Sequence, residues 1–191
     1  LDMLKVAHIL KGKTVHPDVS LAIAPGSKQV LNMMAENGAL ATLIDAGARI
    51  LESACGPCIG MGQSPNSKGI SLRTFNRNFE GRSGTKDGQI YLVSPEMAAI
   101  SAITGYLTDP MEIGDMPEFK LPEEFTINDN MVVPPVAAEE MDSVEILRGP
   151  NIKPYPETAP LLETIDAPVS LKVGDNITTD HIMPAGAKIL P

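Results

Sequence analysis

Cys55 and Cys58 stand three residues apart in Ala54-Cys-Gly-Pro-Cys-Ile-Gly60. Thiols at this spacing exchange electrons as a dithiol–disulfide couple, supply part of a zinc site, or ligate an iron–sulfur cluster from a glycine-rich loop. They can also be two inert, buried cysteines. Redox use wants the first thiol at the start of a good helix, which lowers its pKa. Here Ile-Gly-Met-Gly-Gln-Ser-Pro follows, and its glycines and proline are poor helix material. Zinc would have to recruit His8, His16 or His181, which stand at no useful spacing. On this loop alone, cluster, redox pair, zinc site and inert pair all stay open.

A second chemical segment is Thr74-Phe-Asn-Arg-Asn-Phe-Glu-Gly-Arg82. It places Arg77 and Arg82 in one loop with Asn76 and Asn78. Two neighbouring guanidiniums repel unless an anion sits between them, and arginine suits bidentate binding of carboxylate or phosphate. The plain alternative is that each arginine pairs with a nearby surface acid. A third segment is Thr178-Thr-Asp-His181. Asp180 beside His181 is possible acid–base machinery, or equally a turn in which Asp180 bonds local backbone.

These segments need elements to hold them. Leu1–Lys11 reads as the end of an amphipathic helix. Ser20–Ala24 and Ala48–Leu51 read as short strands, the second leading directly into the cysteine loop. Between them, Ser27 caps a helix through Val30, Leu31, Met33 and Met34. Asn37-Gly38 interrupts that helix, Ala39–Ala46 adds another turn or two, and Gly47 is a natural stop. Gly69–Phe75 alternates as a strand that feeds the arginine loop, and Gln89–Val93 is another strand. Ser94-Pro95 then starts a nearly all-apolar helix reaching Leu107, placed between layers. Strands alternating with helices imply an α/β fold: three layers, α/β/α, with a mostly parallel sheet. Ligands of such sheets collect at the strands' C-terminal ends, where the arginine loop lies.

From Pro110 to Pro168 the pattern changes: ten of the 17 prolines fall there, among dense acidic residues. Proline excludes regular helix and central strand. The stretch reads as an extended linker hugging a surface through Phe119, Phe125, Ile146, Leu147 and Tyr155. Val169–Val173 then alternates like the first strand of a second domain. The division expected is 1–108, an α/β/α domain; 109–168, linker; and 169–191, the start of another domain.

Composition narrows the functions. Of 191 residues, 43% are apolar and 20% charged, which is ordinary globular material. A net charge of −9 and pI ≈ 4.8 weigh against nucleic acid as the main ligand. No apolar stretch approaches the roughly 18–20 residues that span a bilayer. Two cysteines make no disulfide framework and fit a reducing compartment. The first residue is Leu1, not Met, and the chain stops just after a polar motif. The expectation is therefore an excised portion of a longer protein.

Taken together, Ala54-Cys-Gly-Pro-Cys-Ile-Gly60, Asn76-Arg-Asn-Phe-Glu-Gly-Arg82 and Ser94-Pro-Glu96 resemble the aconitase family in order and spacing. Gly174–Ala187, with Thr-Thr-Asp-His-Ile, resembles the start of that family's swivelling domain. The resemblance implies a [4Fe–4S] cluster held by three cysteines, with one iron open to act as a Lewis acid on the substrate. Cys55 and Cys58 match two of the ligands; the third would belong to a Ser-Cys-Thr-like motif upstream of Leu1. Asn76 matches an asparagine near cluster and substrate. Arg77 and Arg82 match arginines that bind substrate carboxylates, and Asp180 matches a catalytic aspartate that positions acid–base groups. The implied partners are a small tricarboxylate and the enzyme's remaining domains. The implied compartment is the cytoplasm, or the mitochondrial matrix in a eukaryote.

The reaction implied is hydro-lyase interconversion of citrate and isocitrate through cis-aconitate. Gly56-Pro57 favours aconitase proper, because isopropylmalate and homoaconitate relatives usually vary those two residues. The alternatives are a homoaconitase or isopropylmalate isomerase relative, or a thiol–disulfide redox module. Cys-Gly-Pro-Cys is the thioredoxin tetrapeptide, although this chain has no Trp to precede it. With two thiols and no catalytic serine base matched, the 191-residue chain alone is expected to be inactive and to bind a cluster weakly or not at all. Substantial citrate–isocitrate turnover by this chain alone would contradict that.

Overall fold

The structure is a computed structural model, and it describes residues 1–130 and 132–184. It divides into two compact units: residues 1–127 with the described residues from 178 onward, and Asn128–Ile177.

The first unit is α/β. Helix α1 spans Asp2–Leu10 and buries Val6, Ala7, Ile9 and Leu10. That set recurs at helical spacing, so one face of the helix supplies much of the core. Strand β1 (Ala22–Ile23) is followed by α2 (Lys28–Glu36), whose N-terminus is capped by the Ser27 hydroxyl accepting from the Val30 amide at 3.1 Å. Gly38, at φ +79°, breaks the helix where expected and admits α3 (Ala39–Asp45), which places Leu43 at the centre of the core. Gly47, at φ +98°, ends it. Strand β2 (Arg49–Ile50) pairs parallel with β1. Strands β3 (Ile70–Arg73) and β4 (Gln89–Leu92) form a second parallel pair. Helix α4 (Pro95–Thr104) is capped by Ser94, whose hydroxyl accepts from the Met97 amide at 3.1 Å.

Helices α1, α3 and α4 enclose the core cluster of Leu10, Leu43, Met34, Ala99 and their neighbours. Helix α4 stops short of Leu107 because Gly105 turns the chain at φ +85°, where a Cβ would lie 2.8 Å from the His16 ring. It buries one side, through Ala99, Ser101 and Ala102, while Leu107 is exposed. The described strands form two separate parallel pairs rather than one continuous sheet. A groove of about 940 Å³ runs past β1, β3 and α4.

The proline-rich stretch begins on this unit. Ile113 and Met116 pack against the core, Phe119 meets His8 edge to face at 6.0 Å, and the Thr126 hydroxyl donates to Glu36 at 3.3 Å. Phe125 does not share in this and is exposed. The second unit, Asn128–Ile177, contains a 3-10 turn at Ala138–Ser143 and neither α-helix nor strand among its described residues. Ile146, Leu147 and Tyr155, expected to hold the linker down, are exposed. Val169–Val173, expected as a strand, pairs with nothing among the described residues, and alternation alone cannot make a strand without a partner edge. Among the described residues, no helix is long and apolar enough to cross a membrane.

The N-termini of the chain and of α4 are joined by Lys5 Nζ to Glu96 Oε1 at 2.7 Å. The hydrogen bond to Glu96 holds Lys5 above its ordinary range, and the same bond holds Glu96 below the usual carboxylate range. The pair therefore stabilises the fold between about pH 5 and pH 10 and is lost as pH falls through the depressed Glu96 value. Glu96→Gln is expected to lower the thermal midpoint slightly at pH 7. The difference should shrink as the pH falls through the depressed Glu96 value, as differential scanning calorimetry would show.

Candidate functional site

Two loops build the site, and both leave the C-terminal ends of parallel strands. The cysteine loop follows β2 and the arginine loop follows β3. In the first, Pro57–Ile59 form a single 3-10 turn that presents Cys55 exposed and Cys58 half-buried, with both thiols free. No helix starts at Cys55, so the feature that activates a redox thiol is missing. The exposure of Cys55 also speaks against an inert buried pair. The sulfurs lie 3.0 Å apart, and the Cys58 thiol also donates to the Cys55 carbonyl at 3.1 Å.

The arginine loop closes over these sulfurs. Arg82 is buried; its Nη2 lies 3.9 Å from Cys58 Sγ and its Nη1 lies 3.5 Å from Asp180 Oδ1. Arg77 Nη1 is hydrogen-bonded to Asp180 Oδ2. Asp180 sits on the one-turn helix α5 (Thr179–Ile182), whose first turn is fastened by the Thr178 amide donating to His181 Nδ1 at 3.1 Å. The anion required between two neighbouring guanidiniums is therefore the Asp180 carboxylate, not local backbone. Five of the expected residues, Cys55, Cys58, Arg77, Arg82 and Asp180, are thus linked in one chain of contacts. Asn76 lies in the same loop, exposed and without a hydrogen bond among the described residues. Phe79 stacks on Arg82 at 5.7 Å.

Burial first, then the hydrogen bond and charge of Cys55, push the Cys58 thiol up; Arg82 opposes both. The Asn78 Oδ1 and Arg82 Nε atoms are buried without a partner among the described residues. Unpaired polar atoms of this kind are costly when buried.

The approach of the two loops is fixed by glycine. Gly60 has φ +95°, and a Cβ there would lie 2.2 Å from the Ser83 carbonyl oxygen. That same oxygen accepts from the Ser64 hydroxyl at 2.9 Å. The sequence places Gly60 in the cysteine loop as poor helix material and does not show this crossing. Nor does it mark out Arg73, an arginine at the end of an alternating strand, whose guanidinium bonds the Pro57 and Gln63 carbonyls behind the cysteines.

The donor set suits an iron–sulfur group in kind: a thiol pair on a glycine-rich loop, faced by a guanidinium, with orphaned polar atoms beside it. No cluster of three or more histidine, cysteine or acidic side chains able to hold a metal exists among the described residues. Among the described residues, Cys55 and Cys58 could offer such a group two thiol ligands and no more.

Residues 1–105 match the aconitase family (aconitate hydratase). The chain is 46% identical to the homoaconitase large subunit of Thermus thermophilus over 113 residues, covering 59% of this chain and 27% of that protein. It is 35% identical to the mitochondrial homoaconitase of Candida albicans over 189 residues, covering 96% of this chain and 26% of that protein. It is 44% identical to the 3-isopropylmalate dehydratase large subunit of Herpetosiphon aurantiacus over 119 residues, covering 61% and 28%. The chain spans about a quarter of the length of these relatives.

Gly60→Ala tests the loop contact. A Cβ at this φ costs about 1–3 kcal/mol in backbone strain before the clash with Ser83 is counted. The urea midpoint should fall accordingly, whereas Gly62→Ala, with open space around it, should bear only the strain.

Proposed function

The chain belongs to the aconitase family, and from that premise we propose that it carries part of the active site of a cluster-dependent hydro-lyase acting on a hydroxy-polycarboxylic acid. The observation that carries this is the position of Arg82, in contact with Cys58 on one side and Asp180 on the other. A metal site and an anion site thereby share one wall.

Cys55 and Cys58 would hold two corners of a [4Fe–4S] cluster. When bound, that cluster supplies a Lewis acid that weakens the bond from carbon to the departing hydroxyl. The protein's own residues do the rest. Arg77 is the more exposed arginine, with a side chain 42% accessible, and its free N–H groups receive a substrate carboxylate. Arg82 is spent on Cys58 and Asp180, so it sets the orientation of both. Asp180 neutralises one of two positive charges, holds the arginines at a fixed separation, and is the acidic group placed to steer protons beside the substrate. Asn76 stands free to add a neutral hydrogen bond.

The relatives shift the substrate away from citrate. They are homoaconitases and 3-isopropylmalate dehydratases, so homocitrate-like or isopropylmalate-like acids fit better than the citrate–isocitrate pair. Gly56-Pro57, read as a mark of aconitase proper, has another physical use. Pro57 is buried, and its carbonyl is held by Arg73. These residues pack the loop from behind and say little about the substrate in front.

The match to the Candida albicans homoaconitase runs through nearly the whole chain, including the linker, whereas matches to proteins called large subunits cover about three-fifths of it. We therefore favour an arrangement in which the swivelling segment is joined covalently through residues 109–168, with the enzyme's other domains as its partners. In the complete enzyme, the two strand pairs would belong to the single sheet of a three-layer domain. The cytoplasm or the mitochondrial matrix would house it.

The test is an anaerobic assay of the full-length, cluster-reconstituted protein, following ultraviolet absorbance of the unsaturated acid. Homocitrate-type or isopropylmalate-type substrates should turn over faster than citrate; a clear preference for citrate would restore the first reading. Arg77→Ala should lower kcat/KM roughly ten- to hundredfold, the worth of one charged hydrogen bond, with the cluster's visible absorbance unchanged.

A further inference from the structure

Arg73 closes strand β3 and is 8% exposed. A buried guanidinium normally faces a carboxylate, because desolvating a charge is expensive. Among the described residues no carboxylate comes within ion-pair distance of Arg73. Its three partners are neutral oxygens instead. Nε donates to the Ser71 hydroxyl at 2.7 Å, Nη1 to the Pro57 carbonyl at 2.9 Å, and Nη2 to the Gln63 carbonyl at 3.0 Å. Pro57 lies between the two cysteines, and Gln63 closes the far end of the same loop. Gln63 is itself tied down, its side chain accepting from Arg49 at 2.7 Å and donating to the Ser20 hydroxyl at 3.2 Å.

We propose that Arg73 is a positioning residue for the cysteine loop: its planar fork pins residues 57 and 63 from behind, and its charge, unmatched by any acid, is held for the thiolates and the cluster in front. The role rests on Cys55 and Cys58 being cluster ligands. Burial lowers the Arg73 pKa from its ordinary range, and negative charge on Cys58 opposes that shift. The fork is needed as well as the charge. Three acceptors in divergent directions match a guanidinium, and a lysine ammonium offers only a point charge.

Three full-length proteins separate these parts: wild type, Arg73→Lys and Arg73→Gln. Each is reconstituted anaerobically with ferrous iron and sulfide. Iron content, rate of cluster loss in air, cluster reduction potential, and amide hydrogen exchange over residues 56–63 are then read. Arg73→Gln should lose its cluster about tenfold faster, in line with the usual effect of removing a group that orients metal ligands. Its potential should fall, because a nearby positive charge favours the reduced cluster, and exchange over 56–63 should quicken while α1 and α4 stay protected. Arg73→Lys should keep the potential near wild type but not the slow exchange. Equal exchange and equal cluster retention in wild type and Arg73→Gln would overturn the proposal. Full rescue by Arg73→Lys, loop exchange included, would overturn the fork. Should Arg73→Gln fail to fold, the Arg73→Lys comparison still decides the fork. Wild-type protein that takes up no iron overturns the cluster reading itself, a separate failure from equal exchange.

Discussion

A Cβ on residue 60 would sit 2.2 Å from the Ser83 carbonyl oxygen, so the cysteine loop and the arginine loop meet backbone to backbone with no side chain between them. The rest of the site depends on this crossing. Ser83 is buried there and adjoins Arg82 in sequence, so fixing one carbonyl fixes the root of the neighbouring guanidinium. With the root fixed, Arg82 reaches Cys58 in one direction and Asp180 in the other. Glycine at a left-handed φ is the residue that allows such an approach at little conformational cost.

Positive charge is handled in two ways on the two sides of the cysteines. In front, Arg82 and Arg77 share the Asp180 carboxylate. Behind, Arg73 meets only neutral oxygens among the described residues. A carbonyl dipole satisfies hydrogen-bonding capacity but cancels no charge. The loop therefore lies between two guanidiniums that share one carboxylate and a third that meets no acid among the described residues. That asymmetry favours any group that brings extra negative charge to the sulfurs.

Much of this was legible from residue types and spacing. Serine before a helix, glycine after it, and proline at the first helical position located α2, α3 and α4, because capping is a local interaction between residues a few positions apart. The convergence of Cys58, Arg82 and Asp180 was legible only through resemblance. Asp180 follows Arg82 by 98 residues, and no periodicity connects them. Arg73 was missed because its acceptors are backbone carbonyls, which any sequence supplies. Val169–Val173 misled for the opposite reason: alternation shows that a segment could line a sheet face, not that an edge is available to it. Ile146, Leu147 and Tyr155 were expected to bury because they are apolar, yet isolated exposed apolar residues are ordinary on protein surfaces.

Asp180 offers one negative charge to two arginines, so the front of the site stays cationic on a chain whose net charge is −9. A small positive patch within an acidic surface focuses the field on itself, and it draws anions past a surface that otherwise repels them. Such guidance works over about 10 Å at 0.1 M salt and fades as the ionic strength rises. Encounter of an anion with this patch would thus depend on the medium, while short contacts partly shielded from water would depend on it less.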